Sequence, residues 1–140
     1  MSPSEATAPG IQVIQKEAKP ITVLCVDDEP TALQSVLESE GYKVLLVKSG
    51  AQGISVFNSQ AVDAVVLDYW MSDMSGLQVA QQMRQLNRTV PIIILSAYIE
   101  LLDESVGLVD VWIRKGEHHP KYLLERLAGL VVSPSAYLQP

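Results

Sequence analysis

Acidic side chains end two of the most apolar stretches of this chain. Residues 64–67 form a short block rich in β-branched residues, typical of a strand buried on both faces, and Asp68 follows it directly. A similar stretch, residues 21–26, runs into Asp27 and Asp28. A carboxylate at the carboxyl end of a parallel strand lies where open α/β sheets bind ligands. Taken alone, however, Asp68 could equally cap a helix or form a turn.

Two further predicted strands also end in polar residues. Residues 91–95 lead into Ser96, and residues 109–113 lead through Arg114 into Lys115. Carboxylates that converge without compensation repel one another and raise their own pKa values, so a cation should share such a site. A hard divalent ion such as Mg²⁺ takes oxygen ligands and commonly serves phosphate chemistry. With a lysine ammonium and a serine hydroxyl nearby, the group could hold the oxygens of a phosphoryl group built on a carboxylate nucleophile.

The elements that would bring these strand ends together alternate along the chain. The hydrophobic pattern predicts five strands, at residues 21–26, 42–47, 64–67, 91–95 and 109–113. It predicts five helices, at about residues 30–40, 51–58, 76–86, 100–106 and 120–131. Strands that alternate with helices form βαβ crossovers, so we expect an α/β fold with a doubly wound, five-stranded parallel sheet flanked by five helices.

Length and composition narrow the class of protein. The 140 residues are 48% hydrophobic and contain no run long enough to span a bilayer, which predicts one globular domain without membrane insertion. No secretory signal pattern opens the chain, so the expected compartment is the cytoplasm. A formal net charge of −6 with scattered basic residues argues against direct binding of nucleic acid. We expect a flexible arm at residues 1–20, the folded domain at 21–131 and a tail at 132–140. The single cysteine, Cys25, is expected to be a buried core residue.

Four short motifs, taken together, resemble a known family. VDDEP, VVLDYWMSDMSG, LSA and RKG occur in this order and are similar to the receiver domain of two-component response regulators over residues 21–131. The spacing adds specificity, because 40 positions separate Asp28 from Asp68. Another 28 positions separate Asp68 from Ser96, and 19 positions separate Ser96 from Lys115. The resemblance implies the flavodoxin-like topology with strand order 2-1-3-4-5.

The resemblance implies a role for each polar residue at the strand ends. Asp68 matches the phosphoacceptor, Ser96 the hydroxyl that moves toward the phosphoryl group, and Lys115 a lysine that contacts it. Trp112, three positions before the lysine, matches the aromatic switch residue. The expected reaction is in-line attack by Asp68 on the phosphohistidine of a histidine kinase or phosphotransfer protein. The chain would then be a signalling domain rather than an enzyme, catalysing only its own phosphotransfer and slow dephosphorylation.

The resemblance also implies a metal cofactor, Mg²⁺ or Mn²⁺. Its expected ligands are the carboxylates of Asp27, Asp28 and Asp68 and the backbone carbonyl of Trp70. Trp70 and Tyr98 match the two positions that flank the path of the hydrolytic water. Bulky aromatic side chains there predict slow loss of the phosphoryl group, because they would exclude or misplace that water. Alternatively, the two rings form an exposed aromatic pair used for binding.

A signalling role requires a partner that distinguishes two states. The resemblance implies that phosphorylation biases a two-state equilibrium of the last strand and its flanking helices. That face would bind a downstream protein target or a second copy of the chain. Because no output domain follows the motifs, we expect a stand-alone receiver whose partner is another molecule.

Some positions depart from the family pattern. Gly116 follows Lys115 where a proline is usual, Ser72 and Ser75 replace a proline and an acidic residue, and the segment before Lys115 is a few residues short. These departures leave open a second hypothesis, a receiver-like interaction module that keeps the fold but does not switch by phosphorylation. Nucleotide enzymes are disfavoured because no Gly-rich loop matches a phosphate-binding fingerprint. Aspartate-nucleophile phosphatases are disfavoured because no second aspartate lies two residues after Asp68.

Overall fold

Five parallel strands form one sheet at the centre of the computed structural model, which describes residues 19–29, 32–97, 107–115 and 120–131. The strands are β1 (Thr22–Val26), β2 (Lys43–Val47), β3 (Ala64–Asp68), β4 (Ile92–Ser96) and β5 (Val111–Arg114). Their order in the sheet is β2-β1-β3-β4-β5, and each neighbouring pair is parallel. The predicted sheet and its strand order are therefore confirmed.

Four helices cover the sheet within the described residues. They are α1 (Leu33–Ser39), α2 (Gly50–Ser59), α3 (Gly76–Leu86) and α4 (Pro120–Val131). The other predicted helix, at residues 100–106, lies outside the described residues, as do residues 1–18 of the predicted arm and the predicted tail. None of the helices described is long and apolar enough to cross a membrane.

The sheet buries both of its faces because successive side chains of a strand point to opposite sides. Val23 and Cys25 contribute to one core cluster, which is completed by leucines of α1 and α4. Leu24 and Val26 contribute to the other, which is completed by apolar residues of α2 and α3. Of the described helices, the first and last therefore cover one face of the sheet and the two between them cover the other, as in a doubly wound fold.

Cys25 lies in the middle of β1, between β2 and β3. Its side chain is buried, which agrees with the prediction. Burial raises the pKa of the Cys25 thiol to about 12, and the negative charge of Asp27 acts in the same direction. The thiol is therefore protonated and enclosed in the folded protein.

Two local predictions differ from the structure. The fifth strand begins at Val111 rather than at residue 109, because the Asp110 carboxylate accepts the backbone N–H of Ile92 at 2.8 Å in place of a strand carbonyl. Arg84 holds that carboxylate at 3.0 Å. Leu86, which the helical spacing places on the apolar side of α3, is 52% exposed because the helix ends at this residue.

Candidate functional site

Three carboxylates meet at the carboxyl edge of the sheet. Asp68 is the last residue of β3, and Asp27 directly follows β1. The backbone N–H of Asp27 donates to the Val47 carbonyl at 3.0 Å, so the sheet pairing extends to this residue and fixes its position. One carboxylate oxygen from each of Asp27, Asp28 and Asp68 lies within 4.8 Å of the other two. Asp27 and Asp68 are each 5% exposed, so their charges have little access to solvent.

Lys115 supplies the positive charge that this edge of the sheet requires. Its Nζ lies 3.2 Å from Asp68 Oδ1 and 3.4 Å from Asp27 Oδ2. Its backbone N–H donates to the Ser96 carbonyl at 2.6 Å, which continues the pairing of β4 with β5 by one residue. The ends of β1, β3 and β5 are therefore joined by one ammonium group.

The charges of the cluster act on one another. Burial raises the pKa of Asp68, and the carboxylate of Asp27 raises it further, while Lys115 opposes both effects. Burial alone would lower the pKa of Lys115, but attraction to Asp27 and Asp68 outweighs this and leaves it above its ordinary value. The site therefore holds more negative charge than its lysine compensates, and this favours binding of a further cation.

The loop between β3 and α3 returns to the backbone of Asp68. The N–H of Gly76 donates to the Tyr69 carbonyl at 2.8 Å, which closes the loop. A Cβ atom on Gly76 would lie 2.6 Å from the Asp68 carbonyl oxygen and 3.1 Å from Tyr69 Cα. Only glycine permits this approach without movement of the backbone. Ser75 begins α3 with a capping box, in which its side chain and that of Gln78 exchange hydrogen bonds with backbone N–H groups.

Two aspartates tie the same loop to its surroundings. Asp28 Oδ2 accepts the backbone N–H of Ser72 at 3.2 Å. Asp73 accepts the backbone N–H groups of Gly50 and Ala51, at 3.0 Å each, at the first turn of α2. These hydrogen bonds to backbone lower the pKa of Asp73. The carboxylate therefore remains ionised at neutral pH and complements the positive end of the helix dipole.

Aromatic side chains connect the site to the last strand. The Tyr69 ring packs against the Trp112 ring of β5, with centroids 5.6 Å apart, and against the Trp70 ring, with centroids 5.0 Å apart. Trp70 is 60% exposed. Trp112 is half-buried, and within the described part of the chain its Nε1 is enclosed without a hydrogen-bond partner. A chain of three rings thus runs from Trp70 through Tyr69, the residue after Asp68, to Trp112 at the predicted switch position.

Residues 23–109 match the response regulator receiver domain family. This chain belongs to that family. The resemblance stated from the motifs is therefore confirmed, and so is the fold.

Relatives of the receiver domain include longer regulatory proteins. This chain is 39% identical over 88 residues to the transcriptional regulatory protein GlrR of Escherichia coli, a match that covers 61% of this chain and 20% of GlrR. It is 37% identical over 95 residues to the probable transcriptional regulatory protein TcrX of Mycobacterium tuberculosis, covering 66% of this chain and 41% of TcrX. The chain thus spans less than half the length of these curated relatives.

Solved receiver structures superpose on most of the chain. The response regulator TrrA from Thermotoga maritima, in complex with Mg²⁺-BeF, aligns with a TM-score of 0.71 and 30% identity, over 79% of this chain and 98% of that one. The chemotaxis protein CheY4 of Vibrio cholerae aligns with a TM-score of 0.74 and 22% identity, over 80% of this chain and 99% of that one, which supports the fold.

The donor set of this receiver domain suits a hard divalent cation. The three clustered carboxylates present oxygen atoms only, which are the ligands that Mg²⁺ prefers. Two of them are buried beside a single lysine, so a divalent cation would relieve repulsion that the lysine leaves. The backbone carbonyl of Trp70 lies in the loop that Asp28 holds through Ser72. The residues present therefore fit the cation that the family implies.

The structure brings most of the predicted site residues together and adds others. The described residues place Asp27, Asp28, Asp68 and Lys115 in one cluster, with Ser96 at the adjoining strand end. Tyr98 lies outside the described residues, as does Gly116. Motif comparison did not single out three residues that shape the site, Gly76, Asp73 and Tyr69. A glycine eight positions after a strand-end aspartate was visible in the sequence, whereas the Asp73 contacts depend on the first turn of a helix that lies 22 and 23 residues earlier in the chain.

Proposed function

We propose that this receiver domain accepts a phosphoryl group on Asp68 from a phosphohistidine of a histidine kinase or phosphotransfer protein, in a reaction that requires Mg²⁺ or Mn²⁺. The observation that carries the proposal is the position of the Asp68 carboxylate. It is buried at a strand end, within 4.8 Å of two further carboxylate oxygens and 3.2 Å from the ammonium of Lys115. A turn or capping aspartate has no need of this arrangement.

The transfer uses groups that the site already holds. A carboxylate oxygen of Asp68 attacks phosphorus, and an acyl phosphate bond forms as the phosphorus–nitrogen bond of the donor breaks. A donor imidazole that is protonated on its other nitrogen leaves as the neutral ring, so this chain has no proton to supply. Lys115 lowers the pKa of Asp68 and so favours the ionised nucleophile against the opposing effects of burial and Asp27.

Each remaining residue of the site has a proposed task. Mg²⁺ held by Asp27, Asp28, Asp68 and the Trp70 carbonyl would supply positive charge for the phosphoryl oxygens. The Lys115 ammonium, already oriented by two carboxylates, binds a phosphoryl oxygen in place of its contact with Asp68. The Ser96 hydroxyl, at the end of the neighbouring strand, donates to another.

The signal then travels through the last strand. Ser96 is the last residue of β4, and Lys115 directly follows β5. These two strands are paired in register. Movement of either residue toward the phosphoryl group therefore acts on the strand that carries Trp112. We propose that the face formed by β5, α4 and the helix predicted at residues 100–106 binds a downstream protein or a second copy of the chain.

A titration with Mg²⁺ and beryllofluoride, followed by tryptophan fluorescence, tests the proposal. Beryllofluoride mimics the phosphoryl group, and both tryptophans lie close enough to report on it, Trp70 two residues after the acceptor and Trp112 through the ring of Tyr69. We expect a saturable change in emission. An Asp68→Asn variant should lose the response to beryllofluoride, because the amide offers no carboxylate oxygen to the ligand.

Direct phosphorylation provides the second measurement. Incubation with a small phosphoramidate donor and Mg²⁺ should add one phosphoryl group, seen by intact mass, to the wild-type protein and none to Asp68→Asn. A flat fluorescence response together with no added mass would favour the other hypothesis, a receiver-like interaction module that does not switch.

A further inference from the structure

The loop that follows Asp68 is held at several points between its two ends. At its start, the N–H of Tyr69 donates to Leu95 of the sheet at 2.8 Å, and at its close the N–H of Gly76 donates to Tyr69. Between these points, Ser72 is bound by Asp28. The next residue, Asp73, reaches out of the loop to a different element, the first turn of α2.

That first turn of α2 also packs against β1, the strand that leads into the expected metal ligands Asp27 and Asp28. A Cβ atom on Gly53 would lie 2.8 Å from Val26 Cγ2, so the helix backbone packs directly on the residue that precedes Asp27. A Cβ atom on Gly50 would lie 3.0 Å from the sulfur of Met74, in the loop. Since neither glycine leaves room for a larger side chain, α2 has little freedom to move between β1 and the loop.

The expected ligands fall into two pairs, Asp27 with Asp28 and Asp68 with Trp70. The contacts through α2 connect these pairs by a second route. One route follows the sheet, from Asp27 directly after β1 to Asp68 at the end of β3. The other runs from Val26 through α2 to Asp73, three residues after Trp70. Because Asp73 binds two successive N–H groups with both of its oxygens, the connection fixes orientation as well as distance.

We propose that Asp73 is a positioning residue for the metal site. By binding the first turn of α2, it holds the loop that carries the Trp70 carbonyl in place relative to Asp27 and Asp28. The inference rests on the proposed function, since it concerns the affinity of the same site for Mg²⁺. Asp73 itself is exposed and is not one of the three clustered carboxylates. Its effect should therefore appear in metal affinity and not in the chemistry of the loaded site.

The test compares Asp73→Ala and Asp73→Asn with a matched control, Ser49→Ala. Ser49 caps the same helix by accepting the N–H of Gln52 at 3.1 Å, and among the described residues its side chain has no hydrogen bond to the loop after Asp68. Affinity for Mn²⁺ is measured by electron paramagnetic resonance of the free ion, and affinity for Mg²⁺ by competition. Thermal unfolding without metal and the phosphorylation rate at saturating Mg²⁺ complete the set.

Asp73→Ala should weaken metal binding by about tenfold, at the lower end of what substitution of outer-shell groups produces. The phosphorylation rate at saturating Mg²⁺ should stay within about twofold of wild type, because an open site filled by excess metal retains its own ligands. Asp73→Asn keeps one acceptor oxygen and should fall between Ala and wild type. Ser49→Ala should lower the unfolding midpoint with little change in affinity.

Two results would overturn the inference while leaving the proposed function intact. Unchanged metal affinity in Asp73→Ala, with only a lower unfolding midpoint, would make Asp73 a helix cap alone. Equal losses of affinity in Asp73→Ala and Ser49→Ala would assign the effect to stability of α2 in general. Failure of the wild-type protein to bind either metal would refute the metal site itself, and this inference with it.

Discussion

Gly76→Ala should disturb the phosphoacceptor from the far end of its loop. The new Cβ would lie 2.6 Å from the Asp68 carbonyl oxygen, whereas ordinary contact begins at 3.4 Å, so the two must separate by about 0.8 Å. The three atoms nearest to the new Cβ are all backbone atoms, which cannot rotate away. Overpacking of this kind costs about 1–3 kcal/mol of unfolding free energy.

The displacement also affects chemistry, because it moves the backbone of the nucleophile itself. Misplacement of a reacting group by about 1 Å lowers rates by up to about a hundredfold, so we expect phosphorylation by a small donor to slow by about ten- to a hundredfold. Urea unfolding in the absence of metal gives the first quantity, and initial rates of phosphorylation at saturating Mg²⁺ give the second.

Gly129→Ala provides the matched control for this prediction. Gly129 lies in α4 with nothing within 4 Å of its Cβ position, so alanine there should stabilise the protein by about 0.5–1 kcal/mol through helix propensity. Wild-type stability and rate in Gly76→Ala would refute the argument from close approach. Lost stability with an unchanged rate would show that the loop end does not set the position of Asp68.

Three further predictions concern charge, pH and lifetime. Lys115→Met should slow phosphorylation because it removes a contact to the phosphoryl group. It should also tighten Mg²⁺ binding severalfold because it removes a competing cation, and weaker metal binding would contradict this. Burial raises the pKa of Asp68 in the folded protein above its value in the unfolded chain. Ionised Asp68 therefore destabilises the metal-free fold at neutral pH, and this destabilisation disappears as the pH falls through the pKa of the folded state. Asp68→Asn should therefore melt at a higher temperature than wild type at pH 7 in EDTA, with a difference that narrows toward pH 4; a difference independent of pH would count against this. Trp70→Asn should shorten the acyl phosphate lifetime, measured by intact mass over time, since a smaller polar side chain admits the attacking water; a wild-type half-life of only seconds would refute the shielding argument.

The site's principal residues could be predicted because they are part of the sheet or directly follow it. Asp68 and Asp27 come at the ends of apolar runs, and the carboxyl ends of parallel strands share one edge, so residue types and strand order sufficed to bring them together. Lys115 follows the same rule one residue after β5. These positions depend on local pattern and topology, which a sequence displays.

Other features depend on contacts between distant residues. Asp73 resembles any loop aspartate in sequence, and its partners at Gly50 and Ala51 are backbone groups that no side-chain pattern reveals. The start of β5 was misplaced because apolar Val109 extends the strand pattern, while the Asp110 carboxylate takes over the pairing. Tertiary hydrogen bonds, rather than propensity, decide both cases.

The enclosed thiol of Cys25 makes β1 a reporter of core opening. The thiol has a pKa of about 12 and lies on the face of the sheet that leucines of α1 and α4 cover, so it reacts with alkylating reagents only when this part of the core opens. Its labelling rate therefore measures the population of opened molecules. Since β1 leads directly into Asp27, a cation bound at that carboxylate should slow labelling in proportion to its occupancy, so the alkylation rate of the native cysteine measures cation binding.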